Sequence, residues 1–151
     1  FNNHRLYYVT TEDFKNFSET KLYYDPGYSS IDATLVNRGK NDYVLVFKDN
    51  TRPERDIKVA FGRTALGPFE RQSKPVTASF TEGPSVAKVG DDWLIYCDSY
   101  RKKSYSAVRT KDFLSFEDIS DKVSIPKGHK HGTIFMSSEK VLKNLKKNFK
   151  R

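Results

Sequence analysis

The chain has 151 residues, of which 36% are hydrophobic, 14% aromatic and 30% charged. That is long enough for one domain with its own core, and no run of about 18 apolar residues is present that could span a bilayer. The formal net charge of +8 is concentrated at one end: residues 140–151 (KVLKNLKKNFKR) hold basic side chains and no acid, and the remainder is close to neutral. A basic face spread over a fold would point to phosphate recognition. A basic tail does not, so neither nucleic acid nor a membrane is expected as a partner.

The single cysteine, Cys97, excludes an intrachain disulfide framework and a cysteine-based zinc cluster. It lies in the apolar run WLIYC and reads as a small core residue. The opening FNNHRLYYVTT has no basic region followed by an apolar core, so it shows no signal peptide. Eleven Phe and nine Tyr favour strands, because aromatic side chains suit half-buried pleated surfaces.

In chain order, the first element ends in Thr11-Glu12-Asp13-Phe14-Lys15-Asn16-Phe17, which reads T-x-D-F-x-x-F. Next comes Ile31-Asp32-Ala33-Thr34-Leu35-Val36, a polar head followed by a short apolar strand. After a turn at Gly39, Asp42–Asp49 (DYVLVFKD) is apolar on successive residues, so both of its faces should be buried. A third strand then leads to Thr64-Ala65-Leu66-Gly67-Pro68-Phe69, a degenerate copy of the opening motif.

The same series then restarts. Glu82-Gly83-Pro84-Ser85-Val86 is the new polar head, Gly90 the turn, and Asp92–Ser99 (DWLIYCDS) the buried strand. Thr110-Lys111-Asp112-Phe113-Leu114-Ser115-Phe116 repeats T-x-D-F-x-x-F, and His131-Gly132-Thr133-Ile134-Phe135 is a third polar head. Asp32, Glu82 and His131 thus recur about every 50 residues. Four short strands per unit of 40–50 residues is the anatomy of a propeller blade.

The predicted fold is therefore an all-β partial β-propeller of about two and a half blades. Residues 1–136 comprise the end of one blade, blades at about 31–76 and 82–125, and the first strand of another at 131–136. Inner strands start near the propeller axis, so their heads should converge there. So few blades cannot close a ring, and their open faces predict self-association. Residues 137–151 should form a basic amphipathic helix capped by Ser137 or Ser138, with Val141, Leu142, Leu145 and Phe149 as its apolar stripe. Packing on the last blade is the simplest fate for that stripe; a membrane surface or a partner protein is the alternative.

The segments YYDPGYSSIDATLV, VFKD, TEGPSVAKVGDDWLIYCDSY, VSIPKG and HKHGTIF lie in order over residues 4–136. Together they resemble the C-terminal half of glycoside hydrolase family 43 and its close relatives. The resemblance implies a five-bladed propeller that hydrolyses arabinosyl, xylosyl or galactosyl linkages of plant-type polysaccharides with inversion. It makes Glu82 the general acid and Asp32 the aspartate that orients it and tunes its pKa. It makes His131 the axial histidine that supports a cation such as calcium, or an ordered water, with no cofactor required. Lys48, Asp49 and Tyr100 would lie near the pocket mouth and contact sugar hydroxyls.

The family's general base, an aspartate on the first blade, has no counterpart in this chain, so the isolated chain should be nearly inert. Relatives often carry an arginine where this chain reads Cys97-Asp98-Ser99-Tyr100, so substrate preference does not carry over. A parent protein of this kind would be secreted or periplasmic by analogy.

Each assignment has a plainer competitor. Asp32 follows a Ser-Ser turn and could cap a strand entry. Glu82 precedes Gly-Pro, a common loop context. His129 and His131 would point to opposite faces of a strand and make a poor chelate. At the level of function, the alternatives are a non-catalytic carbohydrate-binding propeller and a peptide-binding one.

Overall fold

Runs that are apolar on every residue can settle only between two other layers, and the two such runs of this chain form the centres of two stacked sheets. The computed structural model describes residues 3–53, 55–126 and 128–149. Phe1, Asn2, Glu54, Lys127, Lys150 and Arg151, which belong to the expected first blade, loops and basic tail, lie outside the described residues.

A short antiparallel hairpin, β1 (Leu6–Tyr8) with β2 (Lys21–Tyr24), comes first. The first full sheet is β3 (Ser30–Gly39), β4 (Asp42–Asp49), β5 (Ile57–Gly62) and β6 (Phe69–Glu70), hydrogen-bonded in that order. Its outer edge is extended by backbone bonds from Ser73 to Val59 and from Val76 to Ile57. The second sheet repeats it with β7 (Glu82–Val89), β8 (Asp92–Ser99), β9 (Ser104–Thr110) and β10 (Glu117–Asp118). Each meanders from an inner strand outward, as propeller blades do.

The two faces of β4 explain the stacking. Val44 and Val46 pack against Ile95, Cys97, Val108 and Phe113 of the second blade. Leu45 and Phe47 point the other way, into a cluster with Tyr24 and Phe69 that Leu6 and Tyr23 of the hairpin help to cover. All four β4 residues are fully buried, as their unbroken apolar pattern requires. The tightly packed Cys97 thiol is pushed up to about 11 by burial, as suits a core residue and not a reactive one.

Two expectations meet a different outcome. Residues 131–136 form no strand; they are held to the second blade by His131 Nε2 against Glu82 Oε1 at 3.1 Å and by Ile134 N–H donating to Ser85 Oγ at 2.8 Å. A strand needs a partner ladder, and none of the described residues supplies one. The helix forms as α1 (Glu139–Asn148), with Ser138 as its N-cap, yet none of its residues is buried. Val141, Leu142, Leu145 and Phe149 line up as expected but are 46% to 78% exposed, so the stripe does not pack on the last blade.

Candidate active site

The inner strands enter the axis through bulges. The register of β3 against β4 slips between Ile31 and Thr34, and that of β7 against β8 slips between Glu82 and Ser85. Within those slips the backbone is left-handed at Asp32 (φ 51°) and Gly83 (φ 57°), and His131 adopts it as well (φ 35°). A bulge re-aims the side chains at a strand end, and a left-handed residue other than glycine is a local cost that such sites tolerate. Gly83 has a second reason to lack a side chain. A Cβ there would meet the His131 ring at 3.0 Å.

The result joins three segments that are each about 50 residues apart. Ligating atoms of Asp32, Glu82 and His131 lie within 4.8 Å of one another. Each of the first two heads is bonded to the following unit: Asp32 Oδ2 accepts from Gly83 N–H at 3.1 Å, and Glu82 Oε1 lies 3.1 Å from His131 Nε2. Thr34 Oγ1 donates to Pro84 O at 2.7 Å, one further link between the two blades. An open cavity of about 380 Å³ lies over this cluster, lined by Asp32, Gly83, Pro84, His131 and Thr133 among others.

Glu82 is the electrostatic centre. Its second oxygen, Oε2, accepts from Lys48 Nζ at 2.6 Å, and the lysine side chain is only 1% exposed. Burial pushes the Glu82 carboxyl up, but the hydrogen bonds from Lys48 and His131 outweigh it and hold the group below the usual glutamate range. Glu82 is therefore a carboxylate at neutral pH in this arrangement.

Of the predicted site residues, Asp32, Glu82 and His131 are brought together. Lys48 is not at a pocket mouth; it is buried beneath Glu82, because the β4 register carries it inward at the end of an apolar run. Asp49 points to the opposite side and is held by Lys58 Nζ at 2.7 Å and Thr51 N–H at 2.8 Å. Burial pushes the Asp49 carboxyl up, and the bonds from Lys58 and Thr51 bring it below its usual range. The Tyr100 ring walls Lys48, with Nζ 4.9 Å from its centroid, and its hydroxyl is buried without a hydrogen-bond partner among the described residues. His129 bonds to Pro126 O at 3.1 Å and takes no part.

The three-headed cluster does not suit a cation bonded through all its members. Glu82 already has both oxygens engaged, one by a buried ammonium that supplies the positive charge a cation would bring. An ion at Glu82 would sit beside the like charge of Lys48. What sequence reasoning missed is the Lys48–Glu82 pair. Its only visible signal was a lysine closing a strand with two buried faces.

Stacked four-stranded blades with acidic inner-strand heads meeting at the axis define a β-propeller with a carboxylate-bearing centre. The chain belongs to the family described as a probable glycosyl hydrolase domain, related to glycoside hydrolase family 43, whose model matches residues 1–140. Among solved structures it is similar to a candidate glycosidase from Bacteroides thetaiotaomicron (TM-score 0.61, 17% identity, 76% of this chain and 40% of that one). It is similar to a glycosyl hydrolase from Bacteroides ovatus (TM-score 0.56, 18% identity, 76% and 39%). It is also similar to a structure from the GH130 family of mannoside phosphorylases, a family that contains glycoside hydrolases targeting β-1,2 mannosidic linkages in Candida mannan (TM-score 0.57, 15% identity, 76% and 39%). The matched part thus spans about 40% of the length of these structures. No curated protein matches the sequence.

Proposed function

We propose that this chain is the acid-bearing part of an inverting glycoside hydrolase. Glu82 is its general acid and Asp32 the carboxylate that orients Glu82, and the substrate carries arabinosyl, xylosyl or galactosyl linkages. The observation that carries this reading is the meeting of Asp32, Glu82 and His131 within 4.8 Å from three sequence-distant units. Two neighbouring carboxylates are what proton donation to a glycosidic oxygen asks for, because one can hold the proton that the other's charge favours.

The general base would be a carboxylate supplied from outside this chain, so the 151-residue chain by itself should turn over little. A parent protein with polysaccharide substrates would work outside the cytoplasm, secreted or periplasmic. Because Glu82 rests as a carboxylate, its proton-donating form is populated only at acid pH or once substrate has displaced part of its hydrogen bonding.

The test is Glu82→Gln in the natural full-length protein. On glycosides with poor leaving groups, kcat should fall about 10²- to 10⁴-fold, the usual worth of general acid catalysis. On dinitrophenyl glycosides, which need no proton, the loss should nearly vanish. Equal activity of the two proteins on a poor leaving group would sink the assignment. A second reading, a carbohydrate-binding propeller without catalysis, is favoured by the same resting charge of Glu82. It predicts sugar binding by calorimetry with no turnover of any aryl glycoside.

A further inference from the structure

Lys48 is placed to do something that neither the fold nor the hydrolytic reading requires of it. It stands on β4 of the first blade, opposite Ile31 on one side and Ile57 on the other, and it reaches across the blade boundary to Glu82, the first residue of β7. A lysine with a 1% exposed side chain is rare unless it is paired. Here the ammonium has a carboxylate at 2.6 Å and an aromatic face at 4.9 Å.

The groups that face Glu82 come from every element around it. They are Lys48 from β4, His131 from the segment after the second blade, Asp32 from β3, and Asp98, its register partner on β8. Lys48 is the one buried basic side chain among them. His131 is half exposed, and its charge depends on protonation. Asp32 takes Gly83 N–H with Oδ2.

We propose that Lys48 is a positioning residue for Glu82: it clamps one carboxylate oxygen from below, so that the other is presented at the axis beside His131 and Asp32. This inference rests on the reading of Glu82 as the working acid, and it deepens that reading. It also reassigns Lys48 from a contact with sugar to a contact with the acid. The clamp has two effects on Glu82. It fixes the direction in which the carboxyl meets the leaving oxygen, and it opposes protonation of the resting acid. The first helps catalysis through orientation, where about 1 Å of misplacement can cost on the order of 100-fold. The second confines the proton-donating form to acid pH.

The substitution to make is Lys48→Met, which keeps length and apolar bulk and removes the charge, with Lys48→Gln as a second variant should the first fold poorly. In the natural full-length protein, Lys48→Met should lower kcat about 10- to 100-fold on poor leaving groups, leave KM within about twofold, and spare dinitrophenyl glycosides. The high-pH limb of its rate profile should move upward. A contact with sugar would do the reverse, raising KM for all leaving groups and leaving that limb in place; this result would overturn the proposal.

A second measurement does not depend on turnover. In the 151-residue chain with ¹³C-labelled glutamate carboxyls, the Glu82 resonance is identified by its loss in Glu82→Gln. Its titration midpoint should lie below that of the exposed glutamates, and Lys48→Met should move it up past them. An unmoved midpoint overturns the clamp, even where the glycosidase reading survives. A moved midpoint with no hydrolysis by the natural protein keeps the clamp and removes the glycosidase reading.

Discussion

The T-x-D-F-x-x-F motif occurs twice, at 11–17 and at 110–116, and the two copies differ chiefly in burial. Both fold the same turn. Thr11 Oγ1 accepts from Phe14 N–H at 2.9 Å and Thr110 Oγ1 from Phe113 N–H at 2.8 Å. Asp13 Oδ1 takes the amides of Lys15 and Asn16, and Asp112 Oδ1 those of Leu114 and Ser115. Those amide bonds hold the Asp13 carboxyl down at about 2 and hold Asp112 below its usual range. Even the left-handed Phe is shared, with φ 54° at Phe14 and 62° at Phe113. Yet Phe113 is 1% exposed and Phe14 is 85% exposed. The turn is written in seven residues, whereas burial is conferred by the neighbouring blade.

The strongest way to break this comparison is to remove the buried ring. Phe113 packs on Trp93 (centroids 5.7 Å apart) and under the Arg38 guanidinium of the first blade at 5.5 Å, while Arg38 also donates to Asp112 O at 2.7 Å. Phe113→Ala would open a cavity between the two blades and should cost about 3–5 kcal/mol in urea unfolding of the 151-residue chain. A loss under about 1 kcal/mol would mean that the blades do not fold as one unit.

A smaller effect tests what the copies share. Thr110→Val and Thr11→Val each remove one side-chain acceptor from the turn and keep the shape. Each should cost about 1 kcal/mol, with Thr110 the larger because it is 3% exposed and its freed amide donor has less access to water. Unfolding midpoints of the two variants, measured side by side, give the ratio. If only Thr110→Val registers, the turn at 11–17 is not formed independently of packing.

The same division between local and neighbouring causes marks how far the fold and site could be read from sequence. The 50-residue step of Asp32, Glu82 and His131 predicted their meeting, because a repeat fixes where equivalent positions fall around an axis. The double burial of Val44 to Phe47 followed from an unbroken apolar run. From sequence Lys48 reads as a residue of the pocket mouth, because its partner Glu82 is on another blade and no local pattern separates a lysine at a strand end from one buried beneath a carboxylate. Ile134 and Phe135 share the apolar look of an inner strand, but a strand exists only with its ladder. The stripe of α1 was legible from period alone, while what should cover it was not.

The smallest expected effect is the most discriminating. Phe14→Ala in the 151-residue chain should change stability by less than about 0.5 kcal/mol, as exposed substitutions do, since that ring is 85% exposed and only its backbone serves the turn. The same substitution in the natural full-length protein separates two accounts of the difference between the copies. If it costs as much there as Phe113→Ala does here, then Phe14 meets a preceding blade just as Phe113 meets the first blade, and both copies are interblade wedges. If it remains silent there too, Phe14 is a surface residue in its own right. The repeat then conserves a turn and not a packing site, and the likeness of the two motifs says nothing about where blades join.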